Sequence, residues 1–164
     1  MKGKSMKNTL LSLTMVVAGI SLAGAVQAQS ALEGVWQIDE FTVVGGADEG
    51  TYFSPQPSLY IFTGQHYSTL IVSGDSPRQQ FSDETTDEET LAAYDNFIAN
   101  AGTYQVAGST LTVVASVAKV PGAMTGEAFT YEYSLDGDSL TLVLAGAAWA
   151  AGDTEITYRL SRLE

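Results

Sequence analysis

Hydrophobic and polar positions alternate along most of this chain with a period of two. Leu111, Val113, Ala115 and Val117 fall on one side of a run that puts Thr110, Thr112 and Ser116 on the other. Phe129, Tyr131, Tyr133 and Leu135 alternate with Thr130, Glu132 and Ser134, and Leu140, Leu142 and Leu144 alternate with Ser139 and Thr141. A pleated strand sends successive side chains to opposite faces, so this period predicts an antiparallel sheet with one buried and one wet face. Further β-rich runs lie at Val35–Val44, Ser58–Thr63, His66–Ser73, Thr103–Ala107 and Glu155–Leu163. Between them, Gly64-Gln65, Gly108-Ser109 and Asp136-Gly137-Asp138 predict tight hairpin turns. Residues 45–56 read as a loop by composition, and the Ala/Gly-rich stretch 145–152 as a loop or weak strand. The expected architecture is all-β, an antiparallel sandwich or a barrel of about eight strands. Closing the sheet removes its edges and encloses an interior that side chains fill, or nearly fill around one small ligand.

One segment follows a different period. Thr86-Asp-Glu-Glu89 has the spacing of a capping box, in which the Thr hydroxyl and the Glu carboxylate satisfy unpaired backbone N–H groups reciprocally. Leu91, Tyr94, Phe97 and Ile98 then recur at helical spacing, and Asn100-Ala101-Gly102 offers a left-handed stop. This predicts one short α-helix near residues 86–101, with an apolar stripe that docks on the sheet.

The first residues have another character. Lys2, Lys4 and Lys7 precede an apolar run from Leu10 to Ala25, and Val26-Gln27-Ala28 then places small residues where a signal peptidase reads them. Residues 1–28 are therefore expected to be a signal peptide cleaved after Ala28, with residues 29–164 forming a single domain that is periplasmic or secreted. The run is interrupted by Ser12, Thr14 and Ser21 and is short for a bilayer-spanning helix. No cysteine follows it to carry a lipid, so the exported chain is expected to be soluble.

Composition narrows the chemistry. The 164 residues carry 7 basic and 19 acidic side chains, for a formal net charge of -12. Three of the basic residues belong to the leader, leaving Arg78, Lys119, Arg159 and Arg162. Such a chain repels nucleic acids and anionic lipid surfaces. With no cysteine, disulfides, thiol catalysis and cysteine zinc sites are excluded, and one histidine cannot build a multi-histidine metal centre. His66 beside the Gly64-Gln65 turn reads as an exposed turn residue rather than a catalyst. The acidic run Asp83 to Glu89 lacks the glycine spacing of a calcium loop and reads as helix capping. Asp136 and Asp138 read as turn formers. Neither a phosphate-binding glycine loop nor a Gly-x-Ser-x-Gly nucleophile elbow occurs. No catalytic residue, metal site or cofactor is expected.

Leu32-Glu-Gly34-Val-Trp36 opens the first run with a Leu-x-Gly-x-Trp pattern, and the later features follow in a recognisable order. These are the aromatic pair of runs from Tyr60 to Val72, the helix, Ala101-Gly-Thr-Tyr-Gln-Val106, Gly108-Ser-Thr-Leu-Thr112, Ala118-Lys119-Val-Pro121, Leu135-Asp-Gly-Asp-Ser-Leu140 and Tyr158-Arg-Leu-Ser-Arg162. From about Leu32 to Glu164 the chain resembles the bacterial lipocalin-like domain family. That resemblance implies a calycin-type fold, an antiparallel up-and-down β-barrel of about eight strands, and a small-molecule-binding role, and carries over no catalytic residue. It also implies that the Gly34–Trp36 strand meets the last one, with Arg162, or failing that Arg159, stacked on the Trp36 indole; guanidinium over indole is a favourable cation–π arrangement.

Inward tyrosines combine an apolar wall with one hydrogen-bonding tip, which suits a small-ligand pocket. The candidate lining residues are Tyr131, Tyr133, Phe129, Tyr104, Leu70 and Tyr158; the same side chains would otherwise fill a solid core. The leading expectation is an exported protein that binds a small apolar or amphipathic molecule. Two other readings remain open. One is an isomerase, cyclase or hydrolase acting on a hydrophobic substrate. The other is an interaction or inhibitor module with a filled barrel and an exposed apolar patch near Trp149 or Tyr52-Phe53. An outer-membrane barrel would need longer strands with an outward apolar band. Oligomeric state is not legible.

Overall fold

A computed structural model describes residues 28–46, 49–53, 56–74, 76–146 and 154–164. Nine strands lie among these residues: β1 (Gly34–Val44), β2 (Gly50–Phe53), β3 (Leu59–Thr63), β4 (His66–Val72), β5 (Phe97–Ala107), β6 (Thr110–Ala118), β7 (Ala128–Asp136), β8 (Ser139–Ala145) and β9 (Glu155–Arg162). All pairings are antiparallel, and β1 pairs with both β3 and β9. Eight strands thereby close into a barrel in the order β1-β3-β4-β5-β6-β7-β8-β9, with β2 attached as a hairpin arm to the far half of β1.

The connections sort themselves by length to the two ends. The β3–β4, β5–β6 and β7–β8 turns are tight, and each holds a left-handed glycine, Gly64, Gly108 and Gly137, with φ near +60°. All three lie at one end, together with the chain terminus. The strand ends that lead into the longer connections, Val44, Val72, Ala118 and Ala145, all lie at the other end. One end is therefore sealed by short turns, and the opposite end is free to open.

Two β-bulges rotate strands partway along, and each changes the face that looks inward. In β1, Trp36 and Ile38 are buried, then the register slips at Asp39, and Phe41 and Val43 take the inward positions. In the β5–β6 pair, Ala101 faces Val117 while Gly102 faces Ala115, so Ser116 has no cross-strand partner. The slip turns Val117 outward, 60 % exposed, against the expectation that it continues the Leu111–Val113–Ala115 face. A bulge adds one residue to a period-two pattern and so inverts everything beyond it. Gly102 allows the close approach, because a Cβ there would collide with the Val114 carbonyl oxygen.

Two other boundaries differ from the sequence expectation. Gly50–Phe53 lies inside the stretch read as a loop, yet it pairs with Glu40–Val43, where β1 has left β3 and its edge needs a partner. The Thr42 and Thr51 hydroxyls meet at 3.1 Å and the Phe41 and Tyr52 rings stack at 5.1 Å across that pair. The helix α1 spans Asp87–Asp95 and stops at Asn96, rather than continuing to Gly102. Phe97 and Ile98 pair instead with Val72 and Ile71, so strand pairing outweighs their helical spacing. No residue of α1 is buried, and Leu91 and Tyr94 are exposed, so the anticipated apolar stripe is not packed into the barrel core.

Candidate ligand-binding cavity

At the sealed end the core is solid. Trp36, Leu32, Phe62, Tyr104, Ile38, Leu111, Leu140 and Leu160 are almost wholly buried. A helical turn over residues 28–32 closes this end like a stopper. The Trp36 indole donates to the Leu32 carbonyl at 2.8 Å, the Gln29 amide donates to the Gly64 carbonyl at 2.9 Å, and the Tyr104 hydroxyl donates to the Gln29 carbonyl at 3.2 Å.

Arg162 joins the stopper to the barrel. It is the cross-strand partner of Trp36, and its guanidinium carbon lies 4.0 Å from the indole centroid. Its two terminal nitrogens donate to the carbonyls of Glu33 (2.6 Å) and Ala31 (2.8 Å), and Nε lies 3.4 Å from Asp138. Gly34, at φ +136°, leaves room for this group: a Cβ there would stand 2.7 Å from an Arg162 nitrogen and collide with the Glu164 carbonyl. Arg159 has a different role, an exposed ion pair with Glu40 at 3.0 Å.

Toward the other end the side chains stop filling the barrel. A cavity of about 550 Å³ opens there, within the range of small-molecule sites. Its walls carry Ile71, Val113, Phe129 and Leu144, and its rim is formed by Ile98, Asn100, Ala118, Lys119, Val120, Ala123 and Glu127. Rim residues Pro121–Met124 form a single 3₁₀ turn started by the proline. The floor is made by Tyr60, Tyr131, Tyr158 and Thr69. The Tyr60 and Tyr131 hydroxyls are 3.3 Å apart, and the Tyr60 and Tyr158 rings meet edge to face at 6.2 Å. Burial holds all three phenols above the ordinary tyrosine range, reinforced by their mutual proximity. Behind the lining, the Tyr67 hydroxyl donates to Oδ1 of the rim residue Asn100 at 2.7 Å, and burial pushes its pKa up to about 12.

The sequence-chosen lining residues divide into three groups. Phe129, Tyr131 and Tyr158 line the cavity. Tyr104 and Tyr133 point into the barrel from β5 and β7 but pack below the cavity, Tyr104 edge to face on Phe62 at 5.0 Å. Leu70 is corrected: it is 38 % exposed on the outer face of β4, where Tyr67, Thr69 and Ile71 occupy the inward positions. The run His66–Val72 mixes polar and apolar residues on both faces, so hydrophobicity alone selects the wrong neighbour. Tyr60 and Thr69 were missed as floor residues. The parity of β4, with Tyr67 inward, would have indicated Thr69.

Other candidate groups lie away from the cavity. His66 is exposed next to the β3–β4 turn at the sealed end, so chemistry inside the barrel would proceed without it. Glu89 caps α1, accepting from the Thr86 and Ser82 backbone N–H groups, and these bonds hold its carboxyl below the usual range. Among the described residues no cluster of three His, Asp or Glu side chains is placed to hold a metal ion. Tyr52 is packed on Phe41 while Phe53 is 68 % exposed; Trp149 lies outside the described residues.

The described residues thus form a closed eight-strand antiparallel barrel, stoppered at one end and hollow at the other. The lipocalin-like domain family matches residues 33–159, and the chain belongs to that family. Among solved structures it is similar to a lipocalin-like protein from Bacteroides uniformis, with 15 % sequence identity, 79 % of this chain and 97 % of that one covered, and a TM-score of 0.43. No curated protein matches the sequence significantly.

Proposed function

We propose that this protein is an exported binding barrel for a small apolar or amphipathic molecule. The observation that carries this reading is the cavity: about 550 Å³ of space inside the barrel, walled by aliphatic and aromatic side chains around a few converging hydroxyls. A domain of this size could have used Tyr60, Tyr131 and Tyr158 to complete a solid core. They instead stop short and leave a hollow, at a cost in lost packing that an occupant would recover.

Export is supported by the contacts of the residue that cleavage would leave first. Gln29, the first residue after the expected cleavage point, already bonds to Gly64 and Tyr104 and belongs to the stopper. Cleavage after Ala28 would remove one residue of the stopper, Ala28, and keep Gln29 to Leu32 with their bonds. Among the described residues no helix is long and apolar enough to cross a membrane.

Native mass spectrometry of protein purified with its leader intact during expression tests both parts. The expected spectrum shows a chain beginning at Gln29 with a co-purified small molecule that leaves on denaturation. Displacement of the fluorescent apolar probe N-phenyl-1-naphthylamine supplies a second readout. Failure of the protein to bind any apolar probe would remove the binding reading, and retention of residues 1–28 in the exported fraction would remove the cleavage site.

A further inference from the structure

Four hydroxyl groups converge at the floor of an otherwise apolar cavity, and their hydrogen-bonding capacity is mostly unspent. Each hydroxyl offers one donor. Tyr60 and Tyr131 spend one between them, at 3.3 Å. Thr69 is 3 % exposed, and its Oγ1 meets no hydrogen-bond partner among the described residues, although it lies close enough to Tyr60 to favour that phenol's ionised form slightly. Tyr158 completes the floor, its ring edge to face with Tyr60 at 6.2 Å. A donor buried without an acceptor destabilises a fold, so Thr69 Oγ1, set beside three phenols, calls for an acceptor that arrives from outside.

We propose that this floor recognises an uncharged oxygen acceptor, such as an ester, ketone or amide carbonyl, carried at the inner end of an apolar chain. The proposal rests on the binding reading above and specifies how the ligand lies and what head group it bears.

Charge decides the head-group class. Among the described residues no Lys or Arg side chain reaches the floor, so a carboxylate or phosphate placed there would be desolvated without a counterion. The neighbouring phenols already respond to the same surroundings by holding their protons. The one cation on the cavity wall is Lys119 at the rim. It is committed to α1, where its ammonium group bonds the Tyr94 carbonyl and sits 3.9 Å above the Tyr94 ring. Glu127 shares that rim and opposes an anion there. An acidic head therefore finds no station at either end, whereas a neutral carbonyl finds two or three donors at the floor. The tail then follows Ile71, Val113, Phe129 and Leu144 out to the apolar rim.

Three length-matched probes test this through displacement of N-phenyl-1-naphthylamine: methyl decanoate, the decanoate anion at pH 8, and undecane. The ester is expected to bind at least tenfold more tightly than either of the others. Thr69→Val and Tyr158→Phe preserve shape while removing a hydroxyl. Each should weaken the ester severalfold and leave undecane unchanged, with an unaltered melting temperature confirming the fold; Tyr131→Phe serves where either fails to fold. Equal binding of ester and undecane, tighter binding of decanoate, or variants that weaken ester and undecane alike would overturn the proposal while the binding reading stands. Absence of binding by every probe, the fluorophore included, overturns both.

Discussion

Arg162 and Trp36 face each other across the β1–β9 seam as cross-strand partners, with the guanidinium carbon 4.0 Å from the indole centroid. This contact reinforces the antiparallel ladder by which the first and last strands close the barrel. It also reaches the stopper, since the same guanidinium bonds the carbonyls of Ala31 and Glu33. Three separate parts of the chain thus meet on one side chain.

Arg162→Ala should therefore lower stability by roughly 2–4 kcal/mol, combining the lost cation–π contact with two hydrogen bonds from a charged donor. Arg159→Ala should change it by less than about 1 kcal/mol, because its ion pair with Glu40 is largely solvated. Urea denaturation of both variants measures the contrast. Equal midpoints for the two would show that the seam is not held at Arg162.

The glycines separate into those that turn the chain and those that let backbones touch. Gly108 sits in a turn at φ +62° with nothing near its missing Cβ, so Gly108→Ala should cost about 1–2 kcal/mol of left-handed strain. Gly102 has no such φ, but its Cβ would collide with the Val114 carbonyl in the adjoining strand. Gly102→Ala must push β5 from β6 at the bulge, and should cost more than Gly108→Ala despite its ordinary backbone. Thermal melts of the pair check the order; the reverse order would mean the bulge yields easily.

Hydrophobic alternation made the barrel legible, because most strands bury one face over their whole length. Its reading failed where a local irregularity altered the parity. The bulge at Asp39 moves the inward set of β1 from Trp36 and Ile38 to Phe41 and Val43, and the one at Ser116 turns Val117 to solvent. The helix was legible at its start, where the Thr86–Glu89 bonds are local. Its end was not, because Asn96 gives way to a strand held by distant Val72 and Ile71. The cavity was half legible for the same reason. Phe129, Tyr131 and Tyr158 lie on regular strands, whereas Thr69 carries no hydrophobic signal and Leu70 carries a misleading one.

The buried phenols make stability fall at high pH. A tyrosine ordinarily ionises near pH 10. Burial, the largest influence, raises Tyr67 and Tyr104 to about 12, with the Glu33 charge adding to Tyr104, and raises Tyr60, Tyr131 and Tyr158 further. A raised folded-state pKa contributes stability that is complete below the unfolded value of about 10 and is lost as pH climbs through the folded value. Unfolding should accordingly set in above about pH 10, with ionisation of the floor tyrosines coinciding with loss of the β-sheet circular dichroism signal. Phenolate absorbance followed alongside circular dichroism tests this. Full ionisation of all tyrosines with the sheet intact would mean that water reaches the floor.

Helix α1 should melt separately from the barrel. Its N-terminus is well made: Glu89 donates its backbone N–H to the Thr86 hydroxyl at 3.2 Å, and the Glu89 carboxylate accepts from the Thr86 N–H at 2.8 Å. Its flanks are weak: no residue is buried, and among the described residues its contacts are exposed ones, with the Lys119 and Arg78 side chains bonding the carbonyls of Tyr94 and Ala93 and the Tyr94 hydroxyl donating to the Lys119 carbonyl. Thr86→Ala removes one half of the capping box, at about 1 kcal/mol of helix stability. That loss should appear as faster amide hydrogen exchange over residues 87–96, with β5 and β6 protected as before. Acidification through the lowered Glu89 pKa should have the same local effect, because a depressed carboxyl contributes stability above its unfolded value and loses it as pH falls through the folded one. Exchange that accelerates equally in α1 and in the barrel strands would instead make the helix part of the cooperative core.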